Sequence, residues 1–323
     1  MSSAQVKKKP KYFKTLPQIP RTELFAPGHG LCAGCTAGTI VRHLLKAAGP
    51  NTILVEATGC VEVSTTLYPY TSWRIPWLHL AFENASAAAS GVEAAIKVLK
   101  RKGYIDPNKP INIVVLGGDG GTYDIGFQSL SGMLERGHKV MYVLYDNEAY
   151  MNTGIQRSGS TPKYAWTTTT PAGKVWPGNL RNKKPIAEIV AAHRIPYVAT
   201  ANPAYPLDML NKFKRGLEVE GPSFIHVIQP CPTGWRFDPR YGIKIARLAT
   251  ETGMWINWEL DHGEFDVTVP VKRRKPVREY LKMQGRFKHL TEEHIREIQR
   301  MVDEEVERIN KLVGREVIGP VEK

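Results

Sequence analysis

Asp119 is a carboxylate inside a glycine-rich turn, and this combination is typical of a site for a metal-bound phosphate. The turn GGDGG occupies residues 117–121, between the apolar run 111–116 and a predicted helix. Glycines let the backbone approach a ligand closely, and the N-terminus of a helix favours phosphate. Because a carboxylate repels phosphate unless a cation lies between them, we predict Mg²⁺ bridging Asp119 and a diphosphate. Three glycines would admit the diphosphate: Gly118, Gly120 and Gly121.

Two familiar phosphate loops do not match this turn. Tyr123 stands where the dinucleotide-binding fingerprint needs its third glycine, and no Gly-Lys-Ser/Thr follows as it would in a P-loop. The alternative to a metal site is a tight strand-to-helix turn in which Asp119 only caps the helix.

Further magnesium ligands are expected where the next strand ends. Open parallel sheets bind ligands at the carboxyl ends of their strands, and the predicted strand 139–145 runs directly into Asp146 and Asn147. Asn147 lies 28 residues after Asp119, which leaves room for one helix and one strand. We predict that the amide oxygen of Asn147 and the main-chain carbonyl of Ala149 join Asp119 in a near-octahedral oxygen site.

Four cysteines form the second set of residues that could do chemistry. Cys32 and Cys35 make a Cys-x-x-Cys loop, Cys60 follows the predicted strand 52–57, and Cys231 follows the last strand of the alternation. Loops at one edge of a parallel sheet can converge, and a 4Fe–4S cluster needs four thiolates. Four cysteines are too few for a disulfide scaffold in a chain of 323 residues, so we expect a reducing cytoplasm.

The cysteine spacing leaves three alternatives to a cluster. Zinc is the other metal, although structural zinc sites usually show a second Cys-x-x-Cys pair. A redox dithiol would leave Cys60 and Cys231 unused. The last alternative is two structural cysteines beside a chance pair.

The elements that would position these residues alternate between strand and helix. This order predicts an α/β fold with a doubly wound, mostly parallel sheet. The segment 146–185 has little periodicity, and irregular stretches of that length are usually functional. The predicted strands are 52–57, 111–116, 139–145, 197–200 and 223–228, and the predicted helices are 37–48, 83–100, 124–136, 186–193, 206–218 and an amphipathic 291–313.

Most of the net charge of +13 lies in two short segments. Residues 1–20 carry five lysines and no acid, and residues 271–288 carry eight basic residues against Glu279. A nucleic-acid enzyme would more often carry a basic stripe across a folded face, so no nucleic-acid partner is expected. The two segments serve either solubility or docking to acidic protein surfaces. No run of 18 apolar residues is present, and no membrane span is expected.

The two strand-end motifs closely resemble the β subunit of 2-oxoacid:ferredoxin oxidoreductases, and the pyruvate type most of all. They are GDGGTYDIG at 118–126 and YDNEAYMNTG at 145–154, followed by Gln156-Arg157-Ser158. The resemblance runs from about Gly28 to Trp235. It implies a thiamine diphosphate-binding domain at 28–252, between an extended basic arm at 1–27 and a C-terminal helical extension at 253–323.

The resemblance also implies the roles of individual residues. It implies one 4Fe–4S cluster on Cys32, Cys35, Cys60 and Cys231. Asn152 would act on the 2-oxoacid near its reactive carbon, where the alternative is a loop asparagine in a local Asx turn. The residues that would contact the cofactor are Cys60, Gly118, Asp119, Gly120, Gly121, Asn147, Glu148, Ala149, Tyr150, Met151 and Asn152.

Thiamine activation needs a further carboxylate against the aminopyrimidine ring. Glu56, Glu62 and Glu83 qualify by residue type, but each is expected to be an ordinary surface or capping acid. In the resembled family this glutamate comes from the α subunit, so the β chain alone should be inert. Ala37 stands where the family can place a glutamate after the second cysteine, and any contact from that side chain is lost.

The implied reaction converts pyruvate, coenzyme A and oxidised ferredoxin into acetyl-CoA, CO₂ and reduced ferredoxin, reversibly. The implied partners are α-, γ- and δ-type subunits and ferredoxin. Related β subunits handle branched-chain 2-oxoacids or oxalate. Two rival functions stay open: a non-redox thiamine decarboxylase or synthase, and a non-catalytic module that docks a partner through its basic segments.

Overall fold

One eight-stranded sheet organises the chain in the computed structural model, which describes residues 12–322. The basic arm was predicted for 1–27, and four of its five lysines lie in residues 1–11, outside the described residues. From residue 12 onward the arm contains one 3₁₀ turn at Leu16–Gln18. The strands are β1 (Thr52–Ala57), β2 (Trp77–Leu80), β3 (Asn112–Gly118), β4 (Met141–Asp146), β5 (Tyr197–Ala201), β6 (Ser223–Ile228), β7 (Trp258–Asp261) and β8 (Glu264–Val267).

The strand order is β2-β1-β3-β4-β6-β5-β7-β8, and the first six strands are parallel. This confirms the predicted mostly parallel α/β sheet. The helices are α1 (Thr36–Ala48), α2 (Cys60–Thr65), α3 (Ala85–Arg101), α4 (Phe127–Glu135), α5 (Ile186–Ala191), α6 (Pro206–Glu218), α7 (Pro232–Trp235), α8 (Gly242–Thr252), α9 (Val277–Leu281) and α10 (Glu292–Val313).

Helices cover both faces of the sheet because alternate side chains of its buried strands point to opposite sides. On one face, Val114 and Leu116 of β3 belong to the apolar core that includes α1 and α6. On the other face, Ile113 and Val115 belong to the core that includes α3, α4, α5 and α10. This burial on both faces explains why β3 reads as an uninterrupted apolar run.

The C-terminal extension contains more than the predicted helix. Strands β7 and β8 form an antiparallel hairpin that pairs with β5 and lengthens the sheet. The predicted terminal helix matches α10, which begins after the N-cap Thr291 and ends at Gly314, whose φ is 73°. The short strands were not predicted, because four residues are too few to show a period in the sequence.

Strand ends in the structure lie closer to the chemical motifs than the sequence indicated. β3 continues to Gly118 and β4 to Asp146. The predicted helix 124–136 is divided into a π-helical turn, Gly120–Ile125, and α4. Across residues 12–322, every helix is too short or too polar to cross a membrane.

Candidate active site

The pairing of three strands brings the predicted motifs to one edge of the sheet. Gly118 of β3 lies opposite Tyr145 of β4, so Asp119 and Asn147 leave neighbouring strands at nearly the same level. Glu56 of β1 lies opposite Leu116 of β3, which places the turn that follows β1, including Cys60, beside Gly118. Parallel pairing therefore assembles a site from residues that are distant in the sequence.

Three groups that the sequence predicts as magnesium ligands meet between β3 and β4. One of the two terminal atoms of the Asn147 amide lies 3.0 Å from Asp119 Oδ1 and 2.8 Å from the carbonyl oxygen of Ala149. The hydrogen-bond pattern favours nitrogen at this position, from which it donates to both oxygens. With the amide turned over, its oxygen would face both of them and would need a cation in between. Adjacent ligands of octahedral Mg²⁺ with bonds of about 2.1 Å are separated by about 3.0 Å. The three groups therefore fit a magnesium ligand set.

Asp119 is almost fully enclosed, with 1% of its surface exposed. Burial raises the pKa of its carboxyl well above the usual range, and the nearby Asp146 carboxylate raises it further. The Ser158 hydroxyl donates to Asp119 Oδ2. A buried carboxylate in this setting is stabilised by a cation, which agrees with the ligand geometry.

Asp146 anchors the turn that presents Asn147. Its Oδ2 accepts from the Tyr123 hydroxyl at 3.0 Å, the Lys183 ammonium at 2.8 Å and the His226 ring at 2.6 Å. Its Oδ1 accepts from the Glu148 amide at 3.0 Å and from Ser160. Although burial alone would raise the pKa of Asp146, Lys183 and His226 outweigh it and hold the pKa well below its usual range. We call these side chains, with Glu148 and Arg286, the Asp146 network.

Sequence reasoning missed most of the Asp146 network. Lys183 and Ser160 lie in the irregular segment 146–185, where the absence of periodicity was the only signal of their importance. Glu148, predicted to contact the cofactor, instead turns its carboxylate to Lys183 at 3.0 Å and Arg286 at 2.6 Å. The structure therefore does not bring the Glu148 side chain together with the other predicted cofactor contacts.

Neighbouring side chains and backbone leave little room for a Cβ atom at the glycines of the turn. A Cβ at Gly120 would lie 2.3 Å from the ring of Tyr150, and one at Gly118 would lie 3.2 Å from the Tyr145 hydroxyl. A Cβ at Gly121 would lie 3.1 Å from the carbonyl oxygen of Phe82. Their first structural role is to let aromatic side chains and a neighbouring loop pack against the turn.

The segment 149–153, which follows β4, packs against the glycine turn and lines the cleft. The Tyr150 hydroxyl donates to the carbonyl of Gly120 at 3.0 Å and to Asp124 at 3.1 Å, which joins this segment to the glycine turn. Met151 packs against Gly234, and Asn152 is exposed at the mouth of the cleft. The cleft itself has a volume of about 30 Å³, and its wall includes Cys60, Asp119 and Asn147.

The four cysteine side chains converge beside this cleft. Gln229 Nε2 lies 3.5 Å from Cys35 Sγ, and the Thr233 hydroxyl lies 3.9 Å from Cys32 Sγ, so the segment around Cys231 contacts both members of the pair. Burial raises the pKa of both Cys35 and Cys60 to about 12, and the neighbouring thiols, Cys231 among them, contribute to each shift. Cys60 belongs to both groups, since it also lines the cleft.

The described thiols are not grouped as the ligands of a single metal ion would be. In the described part of the chain, no three His, Cys, Asp or Glu side chains converge as tightly as one ion requires. A cube of iron and sulfide holds its cysteines farther apart than one ion does, because the cube lies between them. The amide of Gly234 already points at Cys231 Sγ, at 3.3 Å, as donors to cluster sulfurs do.

Glu56 was expected to be an ordinary surface or capping acid, and this prediction is wrong. Its side chain on β1 is fully buried, and neither carboxylate oxygen has a hydrogen-bond partner among the described residues. The indole N–H of Trp73 faces it without reaching hydrogen-bond geometry, and the Tyr145 hydroxyl is equally unpaired. Burial raises the pKa of Glu56 well above its usual range, and Glu62 raises it further. We call Glu56, Trp73 and Tyr145 the Glu56 cluster.

Comparison with known proteins shows the family to which the chain belongs. Residues 57–227 match the family described as thiamine pyrophosphate enzyme, C-terminal TPP binding domain. Pyruvate synthase subunit PorB of Methanocaldococcus jannaschii is 59% identical over 297 residues, which cover 92% of this chain and 98% of that protein. The chain belongs to the pyruvate synthase PorB family. Members of this family are subunits of a pyruvate:ferredoxin oxidoreductase, and the resemblance inferred from the two motifs is confirmed.

The chain is also similar to a subunit of an enzyme named for a different 2-oxoacid. Ketoisovalerate oxidoreductase subunit VorB of Pyrococcus abyssi is 48% identical over 303 residues, which cover 93% of this chain and 96% of that protein. Among solved structures, 2-oxoglutarate:ferredoxin oxidoreductase from Magnetococcus marinus superposes with a TM-score of 0.54. That match has 21% identity over 71% of this chain and 81% of the other, and it shows a shared fold.

Proposed function

We propose that this chain is the thiamine diphosphate-binding subunit of a pyruvate:ferredoxin oxidoreductase, and that it carries both Mg²⁺ and a 4Fe–4S cluster. The assembled enzyme would convert pyruvate, coenzyme A and oxidised ferredoxin into acetyl-CoA, CO₂ and reduced ferredoxin. The observation that carries the proposal is the shared cleft, which is lined by Cys60 as well as by Asp119 and Asn147. Electron transfer from a cofactor to a cluster needs this proximity.

Asp119, Asn147 and the Ala149 carbonyl would hold Mg²⁺ on the diphosphate. Support comes from the separations of 3.0 and 2.8 Å around the Asn147 amide, which suit adjacent octahedral ligands. The Asn147 side chain can turn over to present its oxygen to the ion, and the ion would favour the ionised form of Asp119. Thiamine diphosphate, when bound, supplies the electron sink for decarboxylation.

Cys32, Cys35, Cys60 and Cys231 would hold the cluster. Support comes from Cys35, Cys60 and Cys231, where burial raises the thiol pKa; this setting disfavours free thiolates and favours thiolates neutralised by iron. Cys32 is exposed and completes the set beside the Thr233 hydroxyl. The cluster, when bound, accepts electrons one at a time. Asn152, exposed at the mouth of the cleft, would contact the 2-oxoacid.

Two observations support a requirement for partner subunits. The cleft of about 30 Å³ is far smaller than the pockets of about 300 Å³ or more that enclose ligands of this size, so another chain would cover the thiamine ring. Asp119 is the one carboxylate among the described residues that line the cleft, and it is engaged by the metal site. The acid needed at the aminopyrimidine ring would therefore come from a partner.

The proposal is tested on the complex assembled anaerobically with its partner subunits. We expect Mg²⁺-dependent uptake of thiamine diphosphate, measured by equilibrium dialysis, and a brown chromophore that dithionite bleaches. Protein that binds the cofactor but contains no iron would favour a non-redox thiamine enzyme. Protein that binds neither would favour a docking module.

The substrate is tested separately, because a ketoisovalerate oxidoreductase subunit is 48% identical to this chain. Reduction of a low-potential dye is measured with pyruvate, 2-ketoisovalerate and 2-oxoglutarate at matched concentrations. We expect the highest kcat/KM with pyruvate. A higher value with 2-ketoisovalerate would assign the branched-chain activity instead.

A further inference from the structure

Arg286 places a buried positive charge between the two halves of the proposed site. Only 2% of its surface is exposed. Its guanidinium donates to Glu148 Oε2 at 2.6 Å and to Gln284 Oε1 at 2.9 Å. The same group lies 3.9 Å from the centre of the Trp235 ring. Arg286 belongs to the basic segment 271–288 of the C-terminal extension, which the sequence assigned to solubility or docking, and its burial does not fit either role.

Trp235 donates hydrogen bonds to two turns of the proposed site. Its indole N–H donates to the main-chain carbonyl of Asn147 at 2.7 Å, which fixes the turn with the proposed magnesium ligands. Its own amide donates to the carbonyl of Cys231 at 2.9 Å, which fixes the turn of one proposed cluster ligand. The Arg286 guanidinium, stacked on this ring, therefore holds a side chain that touches both turns.

Glu148 shows why the magnesium turn needs an external restraint. Its φ of 68° lies in the left-handed region, which residues other than glycine adopt at a cost. Its carboxylate lies between Lys183 at 3.0 Å and Arg286 at 2.6 Å. These ion pairs hold the residue between Asn147 and Ala149 in a conformation that it would otherwise tend to leave.

The charge of Arg286 also reaches the cysteines. The buried guanidinium stacks on Trp235, the last residue of the short helix whose N-cap is Cys231, so little water separates its charge from the proposed cluster ligand. A buried cation beside a cluster favours its reduced form, which carries one more negative charge. The stacking of Arg286 on Trp235 and the charge of its guanidinium are thus two separate contributions to the site.

We propose that Arg286 is a positioning residue through which the C-terminal extension supports both halves of the site. The hydrogen bonds of its guanidinium and the stacking on Trp235 fix the turn 147–149 for Mg²⁺-thiamine diphosphate. Its charge stabilises the reduced cluster at Cys231. This inference rests on the proposed function. Lysine would keep the charge but lose the planar fork and the stacking, so the two contributions are separable.

The test compares Arg286→Gln, Arg286→Lys and the control Arg278→Gln in the assembled complex. Arg278 lies in the same extension and pairs with Glu292 at the surface. Two quantities are measured: the Kd of thiamine diphosphate at saturating Mg²⁺, and the midpoint potential of the cluster in a titration followed by electron paramagnetic resonance.

Arg286→Gln should weaken cofactor binding by about 10- to 100-fold, as is usual for residues that orient metal ligands, and should lower the midpoint potential. Arg286→Lys should weaken binding but keep a potential close to that of the wild type. Arg278→Gln should change neither quantity. A glutamine variant with wild-type affinity or wild-type potential would overturn the inference.

Arg286→Gln leaves Glu148 with one cation fewer, so the variant can fail to fold. The double variant Glu148→Gln/Arg286→Gln removes both charges and serves as the second test. It should also bind the cofactor more weakly, and wild-type affinity in this variant would equally overturn the inference. A wild-type complex that takes up no thiamine diphosphate would reject the proposed function itself.

Discussion

Two buried acids near the site, Asp146 and Glu56, have opposite surroundings. Asp146 accepts five hydrogen bonds, one of them from the Lys183 ammonium, and its pKa is held low. Glu56 has no hydrogen-bond partner within residues 12–322, and burial raises its pKa well above the usual range. The two side chains belong to opposite faces of the sheet, with the α3–α4 core and the α1–α6 core respectively.

The difference shows which buried acid fixes the fold through hydrogen bonds and which one lacks a bonding partner in it. A fully paired carboxylate fixes the turn that it bonds, so the Asp146 network sets the position of Asn147. Unpaired buried polar groups usually mark a trapped water, a proton or a missing partner. The Tyr145 hydroxyl points from the Glu56 cluster toward the cleft, since a Cβ at Gly59 would lie 2.5 Å from it.

Asp119 borders both regions, and its replacement should have the largest effect. Asp119→Ala removes the one carboxylate of the proposed magnesium site, so thiamine diphosphate retention should be lost while iron content stays unchanged. Cofactor and iron are quantified in the purified complex. Asp106→Ala, in an exposed turn, is the control and should retain both. Unchanged thiamine content in Asp119→Ala would contradict the ligand assignment.

Removing a cation from the Asp146 network should destabilise the fold strongly. Lys183→Met leaves Asp146 and Glu148 with less compensation, and such losses typically cost about 3–5 kcal/mol of unfolding free energy. Lys214→Met, which breaks a surface pair with Glu218, should cost less than about 1 kcal/mol. Urea denaturation measures both variants. Equal, small losses would show that the network is not a rigid anchor.

Neutralising Glu56 should stabilise the protein at neutral pH. An acid whose pKa is raised on folding loses stability as the pH rises above its unfolded pKa of about 4.3, because only the unfolded chain ionises. Glu56→Gln removes this loss, so we expect a gain on the order of 1–3 kcal/mol at about pH 7.5 and little change at about pH 4.5. Denaturation at both pH values measures it. Destabilisation at neutral pH would mean that an ionised Glu56 is held by a partner.

Two tyrosines give the smallest and most direct test of the comparison. Tyr145→Phe removes a hydroxyl that has no partner in the described part of the chain, so stability should change by less than about 0.5 kcal/mol. Tyr123→Phe removes a donor to Asp146 and should cost about 1–3 kcal/mol. Thermal unfolding compares the two. A larger loss for Tyr145→Phe would reveal a bound water or ligand in the Glu56 cluster.

Local sequence was sufficient to predict that Asp119 and Asn147 lie at the same edge of the sheet. The order of apolar strand, glycine turn and helix is local, and parallel strands end at the same edge of a sheet, so Asp119 and Asn147 could be placed together in advance. The same argument could not predict how the glycines are used. Gly118 and Gly120 face Tyr145 and Tyr150, and which aromatic fills a gap is decided by residues that are distant in the chain.

The sequence by itself determined the doubly wound sheet, the two strand-end motifs and the family, because these depend on the order of residues along the chain. Only the tertiary structure decided that Glu56 is buried without a partner, that Asp146 is saturated, and that Arg286 reaches Glu148 across 138 residues of sequence. The reason is physical: burial and pairing depend on which surfaces meet when distant segments pack. No local pattern records that meeting.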